Sequence, residues 1–304
     1  MWHGERFPLV EEVKVSASLN GSRPHRDGRA FHIRFPAVSA NLDQDEEWFE
    51  FDFDGRTRRL RIHDYTDMYR VPGLYEALVY GKLRCNSPRR MAELLASVLS
   101  DWPEDLTGLR VLDFGAGNGT VAKELRARGV NTIVGLDLLP EAALAARRDR
   151  PGVYSDYVVA DLCNLDSQDR RRLEKADLNC LITVAALGFG DIPPEAFATA
   201  LNLVSTDGWL AMTIKEGFLR PGGDDSGFAR LMRELIDRGI VEIQAHLRFC
   251  HRLSIRGEQI FYMAVVARKA AHIPKSLFNR LSSGTKIEMM DRQSDAASLL
   301  LGRA

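Results

Sequence analysis

Several absences narrow this chain before any motif is considered. Its four cysteines, Cys85, Cys163, Cys180 and Cys250, include no C-x-x-C pair, so neither a zinc site nor a disulfide framework is indicated. Reduced thiols, no metal centre and a cytoplasmic location are the expectations. No uninterrupted apolar stretch approaches the ~20 residues a membrane-spanning helix needs, and Met1-Trp2-His3-Gly4-Glu5-Arg6, with Pro8 close behind, lacks the apolar core of a secretory signal. No membrane partner is expected. Neither sign of charge dominates: 41 basic and 42 acidic residues leave a formal net charge of -1, which gives no global attraction to nucleic acid. There is no internal repeat. What remains is a 304-residue chain with 45% hydrophobic content, enough for one large domain with a true core plus an extension.

The most informative segment is Val111-Leu112-Asp113-Phe114-Gly115-Ala116-Gly117-Asn118-Gly119-Thr120. An apolar run, an acid and three alternating glycines lead into Val121-Ala122-Lys123-Glu124-Leu125, which reads as strand, glycine turn and helix. Glycine has no Cβ, so the turn can reach strained dihedrals and a ligand can lie against bare backbone, near amides that attract an anionic end. A nucleotide-like cofactor is the expectation. A dinucleotide fingerprint wants G-x-G-x-x-G; Asp113-x-Gly115-x-Gly117-x-Gly119 departs from it, and an acid there would repel a pyrophosphate. A carboxylate at that strand end suits an ammonium group instead.

Two further strands end the same way. Asn131-Thr132-Ile133-Val134-Gly135-Leu136-Asp137 closes on an acid about 20 residues after the glycine loop, where such sheets hold a ribose diol. Val158-Val159-Ala160-Asp161-Leu162 repeats the form. Asp also caps helices and opens turns, and for Asp161 alone that reading stands level with the ligand one. Three ordered acids at strand ends favour the cofactor site.

This arrangement resembles motif I and the following strands of the class I S-adenosylmethionine (SAM) dependent methyltransferases. The resemblance implies SAM as cofactor. It places Asp113 at the ammonium, the backbone of Gly115, Ala116 and Gly117 beside the ligand, Asp137 and Leu138 at the ribose end, and Asp161 with the amide of Leu162 at the adenine. Aromatic residues ahead of motif I fold over the cofactor in that family, which makes Tyr65 and Tyr69 lid candidates; Tyr75 and Tyr80 are expected in the core. Within the family the likeness is closest to the Williams-Beuren syndrome region methyltransferase-like group. It is carried by Arg150-Pro151-Gly152-Val153-Tyr154, the run from Leu181 to Gly188, Ile192-Pro193 and Thr206-Asp207-Gly208-Trp209-Leu210. That group's usual Lys-Pro-Gly-Gly is here Thr206-Asp207-Gly208-Trp209.

The expected fold class is α/β: a seven-stranded Rossmann-like methyltransferase sheet with helices on both faces, plus an N-terminal β-rich extension. Three parts are expected: a β extension over 1–63, the methyltransferase domain with its lid helices over 64–270, and a tail over 271–304, expected to be partly disordered. Phe31 to Phe35 alternates as a strand, and Trp48 to Phe53 joins Arg58-Leu60-Ile62 across Asp54-Gly55, a hairpin signal. Asn20 to Gly28 reads as an exposed loop. Pro72-Gly73 interrupts a helical stretch, and Asn86-Ser87-Pro88 supplies a cap and first-turn proline. The third to seventh strands are expected over 153–159, 176–184, 209–214, 240–251 and 259–267, with helices over 193–203 and 226–238.

Methyl transfer from a sulfonium is an in-line displacement in which charge disappears, so orientation alone can supply roughly 7–11 kcal/mol. Acceptor contacts are expected on the loop after the fourth strand and on the helices before motif I. That loop, Val184 to Asp191, lacks the Asn/Asp-Pro-Pro-Tyr/Phe motif that grips a planar nitrogen in nucleic-acid base methylation. A small-molecule methyl acceptor and no nucleic acid are therefore expected. His63, His246 and His251 carry no clear signal as a base, so the catalytic residues stay unassigned. Two alternatives remain open: a SAM-binding regulatory or assembly protein without transfer, and an NAD(P)-dependent oxidoreductase. Trp48, Phe49 and the Arg56, Arg58, Arg59 cluster are open to use as a partner surface, as a homodimer interface, or as a flap over the acceptor pocket.

Overall fold

The computed structural model describes residues 31–36, 44, 46–187, 191–216 and 227–277. The expected loop from Asn20 to Gly28, the Gly188-Phe189-Gly190 turn, Ser226 and the tail beyond 277 lie outside the described residues.

Two sheets organise the chain. The smaller has the order β1 (Ile33–Arg34), β2 (Trp48–Phe53), β3 (Arg56–Arg61), all antiparallel. Its hairpin turn is Asp54-Gly55, both left-handed at φ 51 and 71, the geometry that Asp-Gly allows at a two-residue turn. Phe49 and Phe51 on alternate positions are fully buried, whereas the arginines of β3 face outward. The buried pair packs on Met68, Leu74 and Leu78 from the segment ahead of the large sheet.

That segment holds α1 (Tyr65–Arg70), a seven-residue π-helix (Glu76–Lys82) and α2 (Ser87–Leu99). The Pro72-Gly73 interruption falls where expected, with Gly73 at φ 82. The π-turn was not foreshadowed in the sequence. Asn86 stands at the helix start without a side-chain cap bond, its backbone N–H instead donating to His251 O at 2.9 Å.

The large sheet is built from β4 (Arg110–Phe114), β5 (Thr132–Asp137), β6 (Asp156–Val159), β7 (Cys180–Leu187), β8 (Gly208–Lys215), β9 (Val241–Leu253) and β10 (Gln259–Lys269). Their order is β6-β5-β4-β7-β8-β10-β9, with β10 antiparallel to both neighbours. Helices α3 (Thr120–Arg126), α4 (Pro140–Asp149), α5 (Ser167–Lys175), α6 (Pro194–Leu203) and α7 (Phe228–Asp237) fill the crossovers. The central strands are apolar on consecutive positions because both faces are covered. Leu112, Leu181 and Leu210 point into one core, and Val111, Ile182 and Ala211 into the other. The strand order reverses beside β4, and the crevice at the carboxyl ends of β4 and β7 is where such sheets take ligands.

Three boundaries differ from expectation for local reasons. The third strand starts at Asp156 and not Val153, because Gly152 turns at φ 76 and Val153 and Tyr154 pack against the glycine loop. The fourth runs from Cys180 to Leu187 because Ala176 still caps α5 and Asp177 is left-handed at φ 48. Only Ile33 and Arg34 of the Phe31–Phe35 stretch join the ladder. The start of the expected tail is ordered into the core: Ile273 and Leu277 are buried, and Ile273 N–H donates to Asn202 Oδ1 at 2.8 Å.

Candidate functional site

The glycine loop leaves β4 with Gly115, Gly117 and Gly119 all left-handed, at φ 74, 52 and 88. At two of them crowding adds to the dihedral requirement. A Cβ on Gly115 would lie 2.7 Å from Ala186 Cβ, and one on Gly117 would lie 2.5 Å from the Tyr69 hydroxyl. The loop is thus pressed between the end of β7 and α1.

β7 contributes an irregular end. Ala185 is left-handed at φ 57, and the β7–β8 register shifts between Thr183 and Leu187. A buried side chain compensates, since Thr213 Oγ1 accepts from Ala185 N–H at 2.8 Å. Bulges of this kind re-aim a strand end beside a site, and here Val184 to Leu187 face a cavity of about 510 Å³.

Each acid has a distinct environment. Asp137 lines the cavity; its Oδ2 accepts from Gly117 N–H at 2.9 Å and its Oδ1 from Leu139 N–H at 3.0 Å. Burial raises its pKa, and those backbone donors oppose the rise. A carboxylate has about four acceptor sites, so two remain for a diol. Asp161 also lines the cavity, yet its carboxylate accepts from Cys163 N–H at 2.8 Å and Asn164 Nδ2 at 2.7 Å. It both opens a turn and faces the pocket.

Asp113 is placed differently from expectation: it is fully buried and stands behind the loop, not on the cavity wall. Tyr154 donates to its Oδ2 at 2.7 Å and, from the same hydroxyl, reaches Ala116 O at 3.1 Å. Desolvation pushes the Asp113 carboxyl up to about 7, against the Tyr154 bond. Its Oδ1 is buried without a hydrogen-bond partner. An unpartnered buried acceptor costs about 1–3 kcal/mol and is the feature expected where a ligand donor belongs.

Leu138 is 62% exposed while Leu162 is buried, and both line the cavity. The structure brings Gly115, Ala116, Gly117, Asp137, Leu138, Asp161, Leu162, Tyr65 and Tyr69 to one cavity. Tyr75 and Tyr80, expected in the core, line it as well. The interruption after α1 turns the π-helix back along the pocket, so that Tyr65, Tyr69 and Tyr75 pack ring on ring, with centroids 5.0–6.4 Å apart. Burial raises the pKa of Tyr65, Tyr69 and Tyr75 well above the ordinary value, so all three are neutral.

Other residues were not legible beforehand. Arg150 Nη1 donates to Glu76 Oε1 and to Asn118 O, each at 2.9 Å, tying the π-helix to the glycine loop. Arg150 and Tyr154 belong to the Arg150–Tyr154 run, and that was their one signal. From the far side, Gln44, His251, Arg252 and Tyr262 reach the same cavity. Arg252 pairs with Glu47 at 2.7 Å, both side chains 4% exposed. His251 Nδ1 lies 2.6 Å from Ser87 Oγ, and burial, with Arg252 beside it, holds its pKa well below the ordinary value. His246 is exposed, so the two histidines face opposite ways. His63 lines the pocket, stacked on Tyr65. Among the described residues no cluster of three His, Cys, Asp or Glu could hold a metal, and no helix is long and apolar enough to cross a membrane.

Residues 84–282 match the family model described as a methyltransferase domain. The chain belongs to the methyltransferase domain family. Its cofactor is accordingly S-adenosylmethionine, and the donor set fits that molecule: two cavity-facing carboxylates, a bare glycine loop and an unpartnered buried acceptor behind it. Among relatives, this methyltransferase is 32% identical over 109 residues to a ribosomal protein L11 methyltransferase of Actinobacillus succinogenes, covering 36% of this chain. It spans about a third, 34%, of that relative's length. Among solved structures it is similar to the magnesium protoporphyrin IX methyltransferase of Synechocystis PCC 6803 with bound SAH, at 16% identity, TM-score 0.47, and coverage of 67% of this chain and 97% of that one. The N-methyltransferase NodS of Bradyrhizobium japonicum WM9 is similar at 15% identity, TM-score 0.42, and coverage of 60% and 95%.

Proposed function

We propose that this methyltransferase acts on a small-molecule acceptor, with SAM lying from the glycine loop to the ends of β5 and β6. When bound, SAM supplies an activated methyl group on a sulfonium. Asp137 accepts from the ribose hydroxyls, Leu138 and Leu162 provide apolar surface, and Asp161 with the Leu162 amide reads the adenine edge. Gly115, Ala116 and Gly117 let backbone approach the amino-acid end. Asp113, which does not line the cavity, acts on that end through the loop as a buried carboxylate, with Tyr154 fixing its Oδ2. Tyr65 and Tyr69 cover the ligand, joined by Tyr75.

The observation that carries this reading is the bond from Gly117 N–H to Asp137 Oδ2. It joins the glycine loop to the second acid at the rim of one cavity, and each element alone would be a weak sign. A small acceptor is supported by the N-terminal extension, which contributes Gln44 and Ile62 to the cavity lining. This use of the extension favours the flap role among the alternatives of interface, partner surface and flap. Of the segments that carry the likeness to the Williams-Beuren syndrome region group, Arg150 to Tyr154 braces the loop through Arg150 and Tyr154.

The test is calorimetric titration with SAM and with its demethylated product. Asp137→Ala should weaken SAM by about 1.5–3 kcal/mol, the range for a hydrogen bond to a charged group. A folded parent protein that binds neither ligand would defeat the reading.

A further inference from the structure

The same cavity is lined by further polar groups that the cofactor reading does not use. Gln44 there is only 8% exposed. Its Nε2 donates to the Tyr262 hydroxyl at 3.1 Å, while its Oε1 has no hydrogen-bond partner among the described residues. If the amide were turned over, its nitrogen would be the unpartnered end, so either orientation leaves one polar atom unanswered. Burying such an atom is costly unless something meets it, and Gln44 and Tyr262 both face the cavity.

The surroundings limit what can meet it. Arg252, the cation on this wall, is engaged by Glu47 at 2.7 Å, so a carboxylate or phosphate ligand finds no uncommitted positive charge there. Asp191 acts on both Tyr65 and Tyr262, and His251 is held neutral. Two stacked ring pairs are among the lining. His251 stacks on Tyr262 with centroids 4.0 Å apart, and His63 on Tyr65 at 5.6 Å with 18° between planes. Tyr262 accepts from Gln44, which leaves its own proton to donate. A carbonyl acceptor and a hydroxyl donor side by side complement a group that both donates and accepts.

We propose that Gln44 and Tyr262 form an acceptor-recognition site that takes a hydroxyl carried on a neutral planar ring, a phenol-type compound anchored through that hydroxyl. This deepens the methyltransferase reading and rests on it. Gln44 and Tyr262 set specificity; the ring faces of His251 and His63 flank the acceptor.

Ligand-observed NMR titration of the full-length protein, loaded with the demethylated cofactor, tests this with phenol, anisole and aniline as probes. Phenol should saturate, and anisole, which cannot donate, should bind about tenfold more weakly. Gln44→Leu should bring phenol down to the level of anisole while leaving affinity for SAM within about twofold. Tyr262→Phe should likewise weaken phenol, and it serves as the second variant if Gln44→Leu does not fold. Equal binding of phenol and anisole, no saturable phenol binding, or folded variants that bind phenol as the parent does would each overturn the proposal. Aniline binding ahead of phenol would overturn the hydroxyl assignment. Failure of SAM to bind while the phenol preference persists would defeat the cofactor reading alone; the reverse pattern would defeat this one alone.

Discussion

The two ends of the cavity are built in opposite ways. At the cofactor end, Gly115, Gly117, Asp137 and Asp161 fall within one run of three strands, each at the place where its strand stops. At the acceptor end, Gln44 meets Tyr262 across 218 positions, and Ile255 N–H reaches Glu47 Oε1 across 208. One end is local and made of backbone turns; the other is long-range and made of side chains. A local site is constrained by sterics, a distributed one by the contacts that bring its parts together.

The sharpest way to break that contrast is to release the distributed end. Glu47→Gln should cost about 3–5 kcal/mol, because it strands the Arg252 charge in a buried setting. Replacing both with leucine should cost much less. Urea unfolding of the parent and the two variants gives the comparison, and SAM affinity in the folded fraction should hold if the two ends are independent. A smaller loss is expected at the local end. Gly115→Ala should destabilise by about 1–3 kcal/mol for its left-handed backbone, with added crowding from Ala186. Combining it with Ala186→Gly should recover the crowding part and leave the dihedral part, and should restore SAM affinity less than stability.

The mildest test uses pH. The Asp113 carboxyl, pushed up to about 7 by burial, is protonated below that value, and an ammonium ligand prefers the ionised form. SAM affinity should therefore fall as pH drops below 7, approaching about tenfold per unit below pH 6. Asp113→Asn should flatten the profile. Tyr154 and Asp137 are the titratable neighbours acting on Asp113; Tyr154 is raised far above this range, and Asp137→Asn tests the other. A profile in Asp113→Asn unchanged from the parent would remove Asp113 from ammonium recognition.

The same contrast explains what could be read in advance. Glycine spacing and strand-end acids are one-dimensional signals, so the first strands of the sheet and a shared site for Asp137 and Asp161 could be expected from them. The setting of Asp113 did not, because its partner Tyr154 lies beyond a whole strand and helix, and spacing carries no sign of that hydroxyl. Tyr75 and Tyr80 pack against the core as expected and line the cavity as well, a second role that a tyrosine on a helix face does not signal. Gln44 had no signal at all. An amide in a loop becomes meaningful only once β10 is laid beside it.

The Glu47–Arg252 pair has a consequence for how this enzyme can diversify. The extension lines the cavity and is fastened to the large sheet by that ion pair and the Gln44–Tyr262 bond, and to the helical segment ahead of the sheet by the packing of Phe49 and Phe51. A grafted extension from another protein could change the accepted compound without disturbing the glycine loop, provided it carries a carboxylate that lands on Arg252. The buried pair thus acts as a socket, and matching it is the admission rule for any new substrate module.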